Sequence, residues 1–208
     1  MKQVGAVIMA AGAGIRMGRQ KLLLPLGGRP LLDYVLSAVA ALPLADAVAV
    51  IGEPQEKLAD LCHRHGIRSV YNPARETGQA SSIQLGLETM APDLDGILFL
   101  TGDQPFLPAV LLDRLLQHFT ELDDNRCIVL PGCNGENRGP VLFGAYWYPD
   151  LKALTGDGGG RSIVRRRPQQ VHTVAWDDES AFWDADTWDD YQQLVKYEKE
   201  MRHVQHTD

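Results

Sequence analysis

Val4-Gly5-Ala6-Val7-Ile8-Met9-Ala10-Ala11-Gly12-Ala13-Gly14-Ile15-Arg16-Met17-Gly18-Arg19-Gln20-Lys21 is the stretch that decides the fold of this chain. Val4 to Met9 is a short apolar run and predicts a buried β-strand. It gives way to small residues with glycines at 12, 14 and 18. Glycine lets the backbone turn with positive φ and lets a ligand come close to the main chain. Successive free N–H groups in such a loop form an anion-binding nest. Arg16 and Lys21 add two cations. A strand, a glycine-rich loop and a cation at its end suit a triphosphate. An ordinary glycine-rich βα turn is the plainer reading of the same residues.

Two common phosphate loops fail on spelling. A P-loop needs G-x-x-x-x-G-K-[ST], but Arg19 follows Gly18 and no Ser or Thr follows Lys21. The dinucleotide fingerprint G-x-G-x-x-G starts at Gly12 and Gly14 but meets Met17 at its sixth position. That disfavours an NAD(P)-dependent oxidoreductase. Instead, Met9-Ala10-Ala11-Gly12, Arg16-Met17-Gly18 and Lys21 resemble the signature L-A-[AG]-G-x(2,3)-R-M/F-G-x-x-K of MobA-like nucleotidyltransferases, with Met9 for the usual Leu.

Composition bounds the function. The 208 residues suffice for one good-sized α/β domain. Hydrophobic residues at 45% and charged residues at 23% are those of a soluble globular protein. The net charge of −7 argues against sequence-independent nucleic-acid binding, which needs a broadly basic surface. It leaves room for a small anion in a locally basic pocket. Cys62, Cys127 and Cys133 are scattered, unlike a disulfide framework, and fit a reducing cytoplasm. The N-terminal apolar run is too short to span a membrane, and it reads as the first strand rather than a signal peptide.

Downstream, short apolar runs alternate with amphipathic ones. Strands are expected at Ala47 to Ile51, Arg68 to Tyr71, Gly96 to Leu100, Cys127 to Leu130 and Gln170 to Ala175. Helices are expected from Pro30, after Pro54, over Ala80 to Met90 and over Pro108 to Leu122, the last with Val110, Leu111, Leu115 and Phe119 as its buried stripe. Pro131 to Gly139 reads as a loop and Gly144 to Leu154 as a helix. The alternation predicts a largely parallel α/β sheet.

Three further segments carry chemistry. Gly78-Gln79-Ala80-Ser81-Ser82 opens a helix, whose free N–H groups favour an anion; Ser81 or Ser82 as a plain cap is compatible with that. With Asn72, it resembles the family's N-x(5,6)-G-x-x-S-S segment, which lines the nucleotide and second-substrate side. Thr101-Gly102-Asp103-Gln104-Pro105 follows the clearest buried strand, and a carboxylate at that strand end lies where α/β folds bind ligands. Asp103 is a hard oxygen donor suited to Mg²⁺, with a turn or helix cap as the plainer reading. The string resembles the family's second signature, G-D-Q-P-[FL], about 80 residues after the first. Asp184-Ala185-Asp186-Thr187 resembles its D-[IVL]-D-T-P-E-D string, with Trp188 where Pro is expected. Helix-dipole stabilisation accounts for Asp186, Asp189 and Asp190, and less well for Asp184. Arg138 to Gly144 and Thr155 to Ser162 resemble two more family segments around the second substrate, and Arg165 to Arg167 form a basic run.

The resemblance spans Met9 to about Asp190. It implies a single Rossmann-like α/β/α domain over 1–208, with a mostly parallel sheet like that of nucleotide-diphospho-sugar transferases. The nucleotide-binding half would run to about 105 and the acceptor half over about 106–197. Within the family, Ala11, Gln104 and the D-x-D-T string are closest to the cytidylyltransferase branch acting on the molybdenum cofactor. The resemblance then implies CTP and molybdenum-molybdopterin as substrates, pyrophosphate as product, and a client molybdoenzyme as a possible partner. It implies Arg16, Lys21 and Asp103 as catalytic residues, and Mg²⁺ on Asp103 and Asp184. The nucleotide would be held by Ala10, Ala11, Gly12, Gly14, Arg16, Lys21, Asn72, Gly78, Ser81, Ser82 and Asp103. No nucleic acid or membrane partner is expected. A GTP- or ATP-dependent relative acting on molybdopterin or another phosphorylated acceptor, and a non-catalytic cofactor carrier, are the other readings.

Overall fold

In this computed structural model the described residues are 2–12 and 20–205. In chain order the strands are β1 (Val4–Ala10), β2 (Pro25–Leu26), β3 (Arg29–Pro30), β4 (Asp46–Ile51), β5 (Arg68–Tyr71), β6 (Gly96–Thr101), β7 (Ile128–Cys133), β8 (Glu136–Asn137), β9 (Val141–Gly144) and β10 (Val171–Ala175). The α-helices are α1 (Leu31–Ala40), α2 (Gln55–Arg64), α3 (Gln79–Thr89), α4 (Ala109–Leu122), α5 (Tyr148–Lys152), α6 (Arg161–Arg166) and α7 (Trp188–Gln205).

The main sheet has the order β10-β7-β9-β6-β1-β4-β5, with β8 paired to β7. β1 lies parallel between β4 and β6, with Met9 opposite Val50 on one side and Thr101 on the other. β9 runs antiparallel to both β6 and β7. From β1 the chain moves outward through β4 to β5, then returns to β6 on the other side. The order therefore reverses between β1 and β6. Open α/β sheets bind ligands in the crevice at the carboxyl ends of the strands flanking such a reversal. Ala11 and Gly12 follow β1 there, and Asp103 follows β6 there.

The two-residue alternation of β1 builds the layers. Ala6, Ile8 and Ala10 face a core with Leu32, Val35 and Leu36 of α1, Leu58 and Leu61 of α2, and Leu111, Leu115 and Phe119 of α4. Val7 faces the opposite core with Ile83 and Leu87 of α3, Leu151 of α5 and Ile163 of α6. Helices thus cover both sheet faces, as the alternation of segments predicts. α7 closes over Leu26 and Leu31 through Leu194.

Three local expectations are corrected. Pro131 lies inside β7, not in a loop, and β8 returns as a short hairpin. The β9 ladder ends at Val129, so proline's missing donor breaks no pairing on that side, and the Pro131 carbonyl accepts from Arg138 N at 2.9 Å. Val110 is exposed; the buried stripe of α4 is Leu111, Leu112, Leu115, Leu116 and Phe119. The stretch after Gly144 is a 3-10 turn over Ala145–Trp147 and then the short α5, rather than one helix.

Candidate active site

Two adjoining cavities open at the carboxyl edge of the sheet. One, of about 280 Å³, is lined by Ala11, Gly12, Lys21, Arg75, Gly78 and Ser82. The other, of about 550 Å³, has an apolar wall of Phe99, Val141 and Phe143, cations at Arg161 and Arg165, and carboxylates at Asp184 and Asp186. Met9, Gln79, Thr101, Asp103 and Asp157 line both. Asp103 therefore stands where the two spaces meet.

Lys21 ties this junction together. Its Nζ donates to Asp103 Oδ2 at 2.5 Å and to Asp186 Oδ1 at 2.7 Å. The lysine and Asp103 are mostly buried, with 13% and 15% of their side chains exposed, whereas Asp186 is half exposed. Burial disfavours the ammonium charge, but Asp103 and Asp186 together outweigh it and hold the Lys21 pKa above its usual 10.5. Asp184 has the opposite problem. Burial first, and then the charges of Asp103 and Asp186, push its pKa up to about 6, with Lys21 pulling the other way. Lys21 thus bridges Asp103 and Asp186, and the charges of both carboxylates act on Asp184 beside them. Among the described residues no three His, Cys, Asp or Glu side chains form a metal cage by themselves.

The second wall is built from the loop after β5. Asn72 is buried, and its Nδ2 donates to Ser81 Oγ at 3.0 Å and Ser82 Oγ at 2.9 Å, while its Oδ1 accepts from Ala74 N. Gly78 has φ +109°, and a Cβ there would stand 2.3 Å from the Gly156 carbonyl carbon. Only glycine lets the 155–160 loop close on the start of α3. That contact also consumes a donor, since Ala80 N bonds Gly156 O at 3.0 Å. Neither serine caps α3: Gly78 occupies the cap position, and Ser81 Oγ donates back to Gly78 O.

Of the expected site residues, Ala11, Gly12, Lys21, Gly78, Ser82 and Asp103 line the narrower cavity, and Asp184 lines the larger one. Ala10, Asn72 and Ser81 stand behind the wall: Ala10 packs in the core, and the other two brace the α3 start. Gly14 and Arg16 lie outside the described residues. Sequence reading missed the place of Asp186. The helix dipole was enough to explain it locally, and its ion pair with Lys21 links positions 165 residues apart. It also passed over Arg75, which sits in a polar loop with no local signal. The start of α7 needs no proline. Thr187 and Asp190 form a capping box, with Asp190 N donating to Thr187 Oγ1 at 3.2 Å and Thr187 N donating to Asp190 Oδ2 at 2.8 Å.

A family model described as a MobA-like NTP transferase domain matches residues 6–173. Nicotine blue oxidoreductase of Paenarthrobacter nicotinovorans is 29% identical over 205 residues, covering 92% of this chain and 96% of that one. The crystal structure of Rv0371c from Mycobacterium tuberculosis H37Rv superimposes with a TM-score of 0.82 at 26% identity, covering 94% of this chain and 98% of that one. The same mycobacterial protein solved in complex with manganese gives 0.80 at 24%, covering 94% and 99%. A nucleotidyl transferase from Methanothermobacter thermautotroptrophicus, Mth528, shares the fold with a TM-score of 0.80 at 21% identity, covering 97% and 100%. The chain belongs to the MobA-like NTP transferase family, the nucleotidyltransferases built on this Rossmann-like α/β sheet.

Proposed function

We propose that the protein transfers CMP from CTP to the phosphate of molybdenum-molybdopterin, in the cytoplasm, with release of pyrophosphate. One observation carries the reading: Lys21 and Asp103 meet at the junction of a narrow cavity lined by Ala11 and Gly12 and a wider cavity with an apolar wall and cations. The N-terminal part, to about residue 105, supplies most of the narrow nucleotide cavity, and the remainder supplies most of the acceptor wall. Ala11, next to that cavity, supports a pyrimidine triphosphate through its resemblance to the cytidylyltransferase branch.

The donor set suits Mg²⁺. The ion takes hard oxygen ligands and is held by one or two carboxylates together with substrate phosphates. Asp103 and Asp184 are such a pair, close enough that the charge of Asp103 helps to raise the Asp184 pKa. The mycobacterial neighbour's manganese complex supports a divalent ion in this fold. When bound, Mg²⁺ supplies neutralisation of phosphate charge.

The chain itself binds and orients. The loop amides at Gly12, with Lys21 and Arg16, hold the triphosphate and oppose the charge that grows on pyrophosphate as it leaves. Arg161 and Arg165 face the acceptor space and suit its anionic group. A phosphate oxygen of the acceptor attacks the α-phosphorus in line, so no protein nucleophile is needed. Positioning and electrostatic stabilisation supply the catalysis.

A second reading has one observation behind it. The Paenarthrobacter relative, similar along nearly its whole length, is named an oxidoreductase. Pyrophosphate release with molybdenum cofactor and Mg²⁺, compared for CTP, GTP and ATP beside oxidation of NADH and NADPH, separates the two. Release with CTP alone supports the proposal. Preference for GTP keeps the chemistry and overturns the base. Nucleotide binding without release points to a carrier, and dinucleotide oxidation without pyrophosphate points to the redox reading.

A further inference from the structure

Arg75 has no part in the chemistry above, yet it lines the narrow cavity. Its side chain is 19% exposed. Nη1 donates to Tyr71 Oη at 2.9 Å. The guanidinium is thus fixed from one side. The other side has no hydrogen-bond partner among the described residues. Nε is buried without a hydrogen-bond partner among the described residues, and Nη2 has only Glu76 at 3.9 Å, beyond hydrogen-bond reach. Nε and Nη2 form the side-on fork of a guanidinium, two parallel donors suited to two adjacent acceptors. A buried, unpaired donor carries a real cost, so such a fork asks for a ligand.

Its place along the sheet says which part of a nucleotide it meets. A Cβ at Gly52, just past β4, would lie 2.7 Å from Ala11 O and 3.1 Å from Arg75 Cδ. The arginine stem therefore rests over the end of β4. Asp103 follows β6, two strands away across β1. At the usual strand spacing that separation is about 10 Å. A nucleotide whose α-phosphate lies by Lys21 and Asp103 spans that distance with its ribose and base.

We propose that Arg75 is the base-reading residue of the nucleotide cavity, presenting its Nε–Nη2 fork to a base with two neighbouring acceptors. Cytosine offers O2 and N3 in that pattern, and guanine offers O6 and N7. Adenine alternates acceptor with donor on both its edges and cannot satisfy the fork. This inference deepens the nucleotidyltransferase reading and rests on the triphosphate lying at Lys21.

Equilibrium binding in Mg²⁺ tests it, with CTP, ATP and inorganic tripolyphosphate titrated into the full-length protein. Arg75→Ala and the closer-sized Arg75→Gln are compared with the parent, with thermal unfolding confirming that each is folded. Both variants are expected to weaken CTP at least about fivefold, the low end for a bidentate contact. Tripolyphosphate should change less than about twofold, and the preference for CTP over ATP should shrink. Arg75→Lys, which lacks the fork, should not restore it. Equal weakening of CTP and tripolyphosphate would make Arg75 a phosphate contact and overturn the proposal. Unchanged CTP binding, or no nucleotide binding by the parent, would overturn it too. Arg75-dependent CTP binding without pyrophosphate release would instead leave base reading standing and remove the transfer reaction.

Discussion

Replacing Asp184 with Asn should make the metal-free protein more stable while removing its activity. Asp184 sits half-buried with Asp103 and Asp186, and its pKa rises from 3.8 to about 6. The fold thus favours the protonated carboxyl. Stability from that proton is fully present below about pH 3.8 and is lost as the pH rises through about 6. A shift of about two pH units corresponds to roughly 3 kcal/mol at full effect. Partial exposure screens the site, so about 1–2 kcal/mol is the working figure. Asn has nearly the same shape and stays neutral at every pH. The variant should therefore match the parent near pH 4 and exceed it by about 1–2 kcal/mol at pH 7–8. For a chain of this size that is about 4 °C in Tm. Thermal unfolding in EDTA across pH 4–8 reads the difference directly. A variant no more stable at pH 8, or offset by the same amount at every pH, would refute the electrostatic account of this cluster.

The remaining predictions concern the same junction and its support. Asp103→Asn should stay folded by circular dichroism yet lose transfer, and wild-type turnover would take Asp103 out of the reaction. Lys21→Ala should weaken triphosphate binding and slow transfer by about 10²–10³-fold, as for loss of one electrostatic contact to the reacting phosphates; unchanged kinetics would refute its role. Thr187→Ala removes the capping box at α7 and should cost about 1 kcal/mol, measured by denaturant unfolding.

The parts of this fold that could be read from the sequence are those written locally. β1, β4 and β6 are buried on both faces, so they appear as unbroken apolar runs, and the helices between them appear as helical repeats of Leu and Val. Asp103 was legible because a single carboxylate directly follows the most apolar of those runs. Pro131 misled because a proline suits a loop, and only the sheet's pairing shows that β9 has ended beside it. Val110 misled because an apolar residue beside the helix start fits the stripe, although it points to solvent. Asp186 and Arg75 depend on partners that no local pattern names. Asp186 reaches Lys21 across most of the chain, and Arg75 gains its setting from Tyr71 at the end of β5 and Gly52 at the end of β4. Asn72 shows a subtler difference. The motif marked the right loop, but its amide braces Ser81 and Ser82 behind the cavity wall.

Nucleotidyl transfer at the Lys21–Asp103 junction is tested most directly by following the label from α-³²P-CTP in the presence of molybdenum-molybdopterin and Mg²⁺. The account predicts that the label moves onto the acceptor with one pyrophosphate released per transfer, and that Asp103→Asn abolishes both. Label that remains in CTP while the parent protein binds both substrates would contradict it.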